Sequence, residues 1–449
     1  MVDRSASIIS PAKKPAKRYR LSSGSRFLST IVARGIRKRY LTLDKFVMAN
    51  PKEIARKNLG IPAANKIILS IDGGGMRGIF TLQILKKLEW LAGSPCYEWC
   101  DMIAGTSTGG LISSLILNKK SAVEIEEYYN TLVSKVFTKR SWLANRIYNP
   151  PAYDKEHFRK LTRDIVGDRT LKELNTSTGL DMLFTAKDLA AGEETFFTCF
   201  DHGDLIKGTY QNVLLRAVME ATMSAPTYFS PFERFVDGGT TTFNNPVLAA
   251  VLEALHYDGK GKYRQHELTV FSLGTGAVLR FIEPSETKNP KGLDSIFWLK
   301  YVMAEASKDA SEMQIDTLRS GLIEGLDLRR YQLSLDEAAV HKLPNLPIKP
   351  MHDITASTLH GLKDDQLKNI DMADVSKFAL MKTLGEATAE YICPATELEL
   401  PMEKRAANWF QKDLLAPNSK RGALVTARGD IPGIQNRLSS AKWIDQQPT

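Results

Sequence analysis

KIILSIDGGGMRGIF, residues 66–80 of this chain, decides the fold. The apolar run at 67–71 predicts a buried strand, and the pattern that begins at Gly78 predicts a helix. The three consecutive glycines, residues 73–75, leave backbone N–H groups unshielded at the turn between the two elements, which suits an anion. The positive end of the following helix adds to this preference. We therefore expect a negative charge, permanent or transient, to bind at this turn.

Two interpretations of the turn compete. Gly73, Gly75 and Gly78 spell GxGxxG between a strand and a helix, which is the pattern of dinucleotide-binding turns. That interpretation also requires an acidic residue at the end of the next strand, about 20 positions on. The next candidate strand runs through Met102, Ile103 and Ala104 and ends in glycine, threonine and serine instead. A ribose-binding carboxylate is therefore not expected there.

The end of that second strand is itself a GxSxG match, Gly105-Thr-Ser107-Thr-Gly109. This pattern places a serine on a tight strand-to-helix turn with its hydroxyl exposed, and the two glycines let the neighbouring backbone pass. A serine nucleophile also needs donors aimed at the oxyanion of its tetrahedral intermediate. Together, the glycine turn and the serine turn point to acyl transfer more specifically than either motif alone, although Gly-Ser-Thr clusters also occur in ordinary turns.

A serine nucleophile needs a proton acceptor. The chain has seven histidines, and the best candidate, His202 in Asp201-His202-Gly203-Asp204, is interpreted as an exposed loop residue. An alternative is Asp237, which follows a short strand and precedes two glycines. Asp-Gly-Gly is usually only a turn, but an aspartate whose pKa is raised by burial can act as the base.

The order of these motifs resembles that of the patatin-like phospholipases. The resemblance covers roughly residues 66 to 280 and rests on the segments Asp72-Gly-Gly-Gly-Met-Arg-Gly78, Gly105-Thr-Ser-Thr-Gly109, Ala221-Thr-Met-Ser-Ala-Pro226, Asp237-Gly-Gly239 and Ser272-Leu-Gly-Thr-Gly276. The third segment departs from the family, which more often has a serine early and an alanine before Ala-Pro. That segment shapes the site but carries no chemistry.

The resemblance implies an α/β fold, a three-layer α/β/α patatin-like domain related to the α/β-hydrolases, with a mainly parallel central sheet. It implies a dyad of Ser107 as nucleophile and Asp237 as base, with the amides of Gly73, Gly74 and Gly75 as the oxyanion hole. Arg77 matches the motif arginine, which would steady the loop or meet a lipid phosphate. No metal or cofactor is expected.

The positive charge of the chain is concentrated at its start. Residues 1–40 contain eleven Lys and Arg against one acid, a net charge of +10, whereas the whole chain carries +9. Apolar residues at 27, 28, 31, 32 and 36 fall at helical spacing within this arm. The pattern is typical of a basic amphipathic helix on an anionic membrane surface, of an organelle transit peptide, or of a helix docked on the catalytic domain. Nucleic-acid binding is not expected, because no aromatic residues or recognition motif interleave with the charge.

The remaining patterns suggest four regions. We expect a basic, partly disordered arm with a short helix (1–60), a catalytic domain (61–280), a helical extension completing or packing on it (281–395), and a weakly ordered tail (396–449). Four cysteines without a CxxC pair favour a reducing compartment. No apolar run reaches the length of a membrane span, and the start lacks the apolar core of a secretory signal. We expect a cytoplasmic, peripherally membrane-associated protein, with organelle targeting by the arm as the alternative.

These observations lead to a ranked set of functions. The first is a lipid acyl hydrolase of the phospholipase A type, which cleaves fatty-acyl esters of membrane phospholipids or other acyl lipids. One alternative is a phospholipase effector of bacterial anti-phage signalling that is activated by a cyclic nucleotide. Another is a lipid-binding module without activity, and a Rossmann oxidoreductase is the most distant. Nothing in the sequence identifies an activator.

Overall fold

The computed structural model describes residues 50–136, 156–200, 210–226, 228–257, 259, 261–278, 295–367 and 370–392. The basic segment 1–40 and the predicted tail 396–449 lie outside these residues. Their predicted structures therefore stay predictions, as do the four predicted domain boundaries.

A mainly parallel β-sheet forms the centre of the described structure. Its strands are β1 (Lys66–Ile71), β2 (Met102–Gly105), β3 (Asp181–Asp188), β4 (Glu193–Thr198), β5 (Phe235–Asp237), β6 (Leu268–Leu273) and β7 (Asp327–Tyr331). The strand order is β4-β3-β2-β1-β6-β7, and β5 pairs with β3 beyond the end of β2. Strands β4 and β5 are antiparallel to β3, and the other pairings are parallel. This confirms the predicted sheet.

The helices are, in chain order, α1 (Pro51–Asn58), α2 (Gly78–Ala92), α3 (Thr108–Leu117), α4 (Ala122–Val136), α5 (Glu156–Val166), α6 (Leu171–Thr178), α7 (Leu215–Thr222), α8 (Val247–His256), α9 (Ser295–Arg319), α10 (Glu337–Val340), α11 (Asp364–Leu367) and α12 (Phe378–Ile392). Successive side chains of a strand point to opposite faces of a sheet. On β1, Ile67 and Leu69 therefore join a core with α2, α3 and α12, whereas Ile68 packs with α8 and α9 on the other face. The three-layer α/β/α fold is confirmed.

The C-terminal part of the described chain builds into this fold. Helix α12 lies directly on α2: a Cβ added to Gly385 would come within 2.7 Å of the Phe80 carbonyl oxygen. The region is mostly helical, as predicted, but it also supplies the edge strand β7. The sequence analysis predicted a helical extension over 281–395, whereas α9 ends at Arg319 and the chain then enters the strand β7. The sequence of β7, DLRRY, resembles that of a surface segment. In the structure, however, Arg329 and Arg330 are only 4% and 5% exposed, and both pair with carboxylates.

The described helices do not include one that could cross a bilayer, since none of them combines the necessary length with sufficient apolar character.

Candidate active site

The serine turn lies where β2 passes into α3. Ser107 has φ 54° and ψ −123°, a conformation that residues with a side chain rarely adopt and that is typical of an exposed nucleophile on a tight turn. The two glycines of the motif are required by contacts. A Cβ on Gly105 would lie 2.6 Å from the backbone of Gly109, and one on Gly109 would lie 2.2 Å from the Ile71 carbonyl oxygen. The second glycine thus lets the serine turn rest directly on the end of β1.

The sheet register explains how Asp237 reaches this turn. Both β2 and β5 pair with β3. Gly105 of β2 is opposite Phe184 of β3, and Asp237 of the antiparallel β5 is opposite Ala186, two positions further along β3. Strand β5 therefore ends beside the residues that follow β2. Ser107 Oγ donates a hydrogen bond to Asp237 Oδ2 at 2.6 Å, across 130 residues of sequence. The structure brings the two predicted dyad residues together.

Asp237 is held in a defined orientation and is nearly dry. Its second oxygen, Oδ1, accepts the Gly239 N–H at 2.7 Å, and its own N–H donates to the Ser224 carbonyl at 3.1 Å. The residue is 3% exposed, whereas Ser107 is half-buried. Burial raises the pKa of Asp237 to about 6, against the smaller, opposing effect of its hydrogen bonds with Ser107 and Gly239. A carboxylate so placed can accept a proton near neutral pH.

The glycine turn packs against the serine. A Cβ on Gly73 would lie 3.2 Å from Ser107 Cβ and 2.5 Å from Asn244 Oδ1. The Gly73 N–H donates to the Asn244 carbonyl at 3.1 Å, and the Gly74 N–H donates to Thr108 Oγ1 at 3.2 Å. For the Gly75 N–H, the structure provides no acceptor among the residues it describes. The predicted oxyanion hole of three amides stays a prediction, and two of these amides already donate to protein atoms.

Gly75 occupies a position that only glycine fits. Its φ is +59°, and a Cβ would lie 2.2 Å from the carbonyl oxygen of Met372. That same carbonyl accepts the Met76 N–H at 2.7 Å, while the Tyr129 hydroxyl donates to the Gly75 carbonyl. Two distant residues thus fix the orientation of the peptide between Gly75 and Met76.

Arg77 turns back onto the glycine turn. Its Nε donates to the Gly74 carbonyl at 3.4 Å, and its Nη1 donates to the Gly276 carbonyl at 3.2 Å. These contacts favour the first of its two predicted roles, that of steadying the loop. Contact with a lipid phosphate stays a prediction.

Several residues that shape the site are missing from the sequence analysis. Tyr129 and Met372 carry no local signal, because each reaches the loop only through the tertiary fold. Asn244 lies between β5 and α8 and belongs to none of the quoted motifs, whereas Thr108 lies inside the serine motif itself. The candidate base His202 lies outside the described residues, and no described histidine hydrogen-bonds to Ser107 or Asp237. In the same described part of the chain, no group of His, Cys, Asp and Glu side chains could hold a metal ion.

Part of the chain is similar to known proteins. Residues 69–251 match the family model Patatin-like phospholipase. Patatin-like protein 2 of Oryza sativa subsp. indica is 30% identical over 42% of this chain and 53% of its own, so the chain spans about half the length of that relative. The cGAMP-activated phospholipase of Escherichia coli (strain TW11681) is 26% identical over 68% of this chain and 86% of its own. Human GIVD cytosolic phospholipase A2 has a solved structure with a TM-score of 0.35 and 13% identity, covering 76% of this chain and 60% of that one. Residues 69–251 of the chain therefore match the patatin-like phospholipase family.

Proposed function

We propose that this protein is a lipid acyl hydrolase of the phospholipase A type, with Ser107 as nucleophile and Asp237 as general base. The observation that carries the proposal is the hydrogen bond from Ser107 Oγ to Asp237 Oδ2 at 2.6 Å. It joins a strained serine turn to a buried carboxylate within a patatin-like phospholipase domain. The substrates are fatty-acyl esters, with membrane phospholipids as the leading class.

The proposed reaction uses these two side chains in two steps. Asp237 accepts the proton of Ser107 as Oγ attacks the ester carbonyl. Collapse of the tetrahedral intermediate breaks the ester C–O bond, and Asp237 gives the proton to the leaving oxygen, so that an acyl-enzyme and a lysophospholipid remain. Asp237, again a carboxylate, then accepts a proton from the water that attacks the acyl-enzyme and returns it to Ser107 Oγ as the fatty acid is released. The burial that raises the pKa of Asp237 to about 6 makes its carboxylate a stronger base than an exposed aspartate.

The glycine turn supplies the oxyanion donors in this mechanism. The Gly75 N–H has no acceptor among the described residues, and the Gly74 N–H donates only to a threonine hydroxyl at 3.2 Å. The Gly75 amide is the strongest candidate, because the Gly73 and Gly74 N–H groups already donate to the Asn244 carbonyl and to Thr108 Oγ1. Backbone donors fixed in place need no reorganisation when the negative charge develops.

The test is release of free fatty acid from mixed anionic phospholipid vesicles by the wild type, Ser107→Ala and Asp237→Ala. We expect both substitutions to abolish release. Ser114→Ala is the matched control, because Ser114 is a buried serine of α3, the helix that follows Ser107, and its hydroxyl donates to the Gly110 carbonyl at 2.7 Å. If Ser107→Ala hydrolysed at the wild-type rate, the dyad would be wrong.

A second candidate function is a phospholipase activated by a cyclic nucleotide. It is favoured by the alignment with the E. coli cGAMP-activated phospholipase, which spans 319 residues and extends over most of that relative. The test is fatty acid release with and without a panel of cyclic dinucleotides that includes cGAMP. Activation by one of them supports this candidate, whereas equal rates with every member of the panel contradict it.

The charge of the first 40 residues leads to a proposal about the membrane. A net charge of +10 in that segment favours attraction to anionic lipid. We expect cosedimentation with phosphatidylserine-containing vesicles to weaken in high salt and on deletion of residues 1–40. Equal binding to neutral vesicles would exclude the electrostatic contribution.

A further inference from the structure

A buried ion pair connects the last described strand of the sheet to the glycine turn. The side chain of Arg330 on β7 extends across β6 and forms an ion pair with Asp72, the residue that directly precedes Gly73. Nη1 donates to Asp72 Oδ1 at 2.8 Å and Nη2 donates to Oδ2 at 2.6 Å. On the way, Nη1 also donates to Ser272 Oγ at 2.8 Å. This two-pronged geometry fixes both the distance and the orientation of the carboxylate.

Both partners of the pair are almost completely withdrawn from solvent. The side chains of Arg330 and Asp72 are 3% and 4% exposed. A buried ion pair is costly to form, and an apolar pair of similar volume is often as stable. Arg330 Nε is moreover buried without a hydrogen-bond partner among the described residues. Stability alone therefore does not explain a charged pair here, and orientation of what the pair holds is the better explanation.

Asp72 lies where the chain leaves the sheet for the active site. Its N–H donates to the Leu273 carbonyl at 2.9 Å, which prolongs the pairing between β1 and β6 by one residue. Its carbonyl faces the serine turn, because a Cβ on Gly109 would lie 2.7 Å from it. Any rotation of Asp72 therefore moves the start of the glycine turn and the support of the Ser107 turn together.

We propose, on the basis of the proposed function, that Arg330 is a positioning residue for the reaction. Through Asp72 it sets the glycine-turn amides relative to Ser107 Oγ. Arg330 does not contact the reacting atoms, and it lies outside residues 69–251, the part that matches the family. Misplacement of reacting groups by about 1 Å costs roughly 100-fold in rate, so loss of the pair is expected to lower kcat and leave KM nearly unchanged.

Arg329 offers a matched control. It is the preceding residue of β7, is buried to the same extent, and pairs with Asp327 at 2.6 Å. It also donates hydrogen bonds to the carbonyls of Leu59 and Gly60, neither of which belongs to the glycine turn. Arg329→Lys thus changes an equally buried arginine of the same strand, whose carboxylate partner is 25% exposed, without touching the site.

The experiment measures kcat, KM and the urea midpoint of unfolding in the full-length protein with a soluble acyl ester. The variants are Arg330→Lys, Arg329→Lys and the double variant Asp72→Asn/Arg330→Met, which removes both charges and leaves no uncompensated ion. We expect Arg330→Lys and the double variant to lower kcat about 10- to 100-fold with KM within about twofold of the wild type. Arg329→Lys is expected to lower the urea midpoint but to keep kcat within about twofold.

Two outcomes would overturn the inference. One is a double variant that hydrolyses with a kcat within about threefold of the wild type. The other is a loss of kcat in Arg329→Lys as large as that in Arg330→Lys, which would indicate general destabilisation. Failure of the proposed function is distinguishable from both, because then the wild type itself would not hydrolyse the ester or Ser107→Ala would remain active.

Discussion

Replacing Asp237 by asparagine is expected to make the protein more stable at neutral pH. The asparagine can keep both hydrogen bonds of the native carboxylate, since its oxygen can accept the Gly239 N–H and its amide can donate to Ser107 Oγ. What it removes is a negative charge in a nearly dry site. The wild type is expected to tolerate this charge at a cost in stability, because the reaction needs the carboxylate.

The magnitude follows from the pKa of the carboxyl group. Burial raises the pKa of Asp237 from its ordinary 3.8 to about 6, and this difference corresponds to about 3 kcal/mol. Because the pKa of Asp237 is higher in the folded state, protonation of its carboxyl group stabilises the fold, and this stabilisation is complete below pH 3.8. This contribution is lost as the pH rises through about 6. We therefore expect Asp237→Asn to gain up to about 3 kcal/mol over the wild type between pH 3.5 and pH 7.5.

The assay is urea unfolding of both proteins at several pH values across that range, followed by circular dichroism. Comparing the two proteins at each pH cancels the titration of all other groups. Asp164→Asn serves as a control for the loss of a surface carboxylate, because Asp164 is exposed on α5. A difference between wild type and Asp237→Asn that stays constant over the pH range would falsify the reasoning, since it would mean that the folded site does not penalise the charge.

The remaining predictions concern rate. The value of kcat/KM should rise tenfold per pH unit up to about pH 6 and then level off, because Asp237 must be deprotonated; a pH–rate profile measures this. Gly75→Ala should lower kcat/KM at least about 100-fold in steady-state assays, since a Cβ would meet the Met372 carbonyl oxygen at 2.2 Å and φ is +59°. Tyr129→Phe keeps the ring stacked on Phe378 but removes the hydrogen bond to the Gly75 carbonyl. It should lower kcat about tenfold at unchanged KM and cost about 1–2 kcal/mol in urea unfolding.

Much of the fold could be predicted because its signals are local. Three motifs each indicate the end of a strand within a few residues. They are the apolar run that ends in three glycines, the serine between two glycines and the aspartate before two glycines. The quoted segment Ser272-Leu-Gly-Thr-Gly276 likewise lies at the end of a strand, β6. The dyad was expected from the order of these motifs, and the antiparallel pairing of β5 with β3 is the tertiary step that makes a contact across 130 residues possible.

The supports of the glycine turn could not be predicted in the same way. Tyr129 lies on α4, Thr275 follows β6 and Met372 precedes α12, yet each hydrogen-bonds to a peptide group between Gly73 and Met76. Thr275 lies in one of the quoted segments, but nothing in that segment indicates its contact with Gly73, and no spacing rule connects the three positions. Strand β7 was missed for a related reason: its two arginines are read as surface residues until their carboxylate partners are known.

The reacting groups and several residues that hold the glycine turn lie in different parts of the chain. The reacting groups, Ser107 and Asp237, lie within residues 69–251, whereas Thr275, Arg330 and Met372 lie beyond this region. An oxyanion hole depends on where its donors are held before the charge develops, and backbone amides in a glycine-rich turn have no side chains with which to hold themselves. The chain after residue 251 must therefore provide part of the rigidity on which the proposed chemistry depends. A change in that region can alter the rate without altering any residue of the recognised motifs.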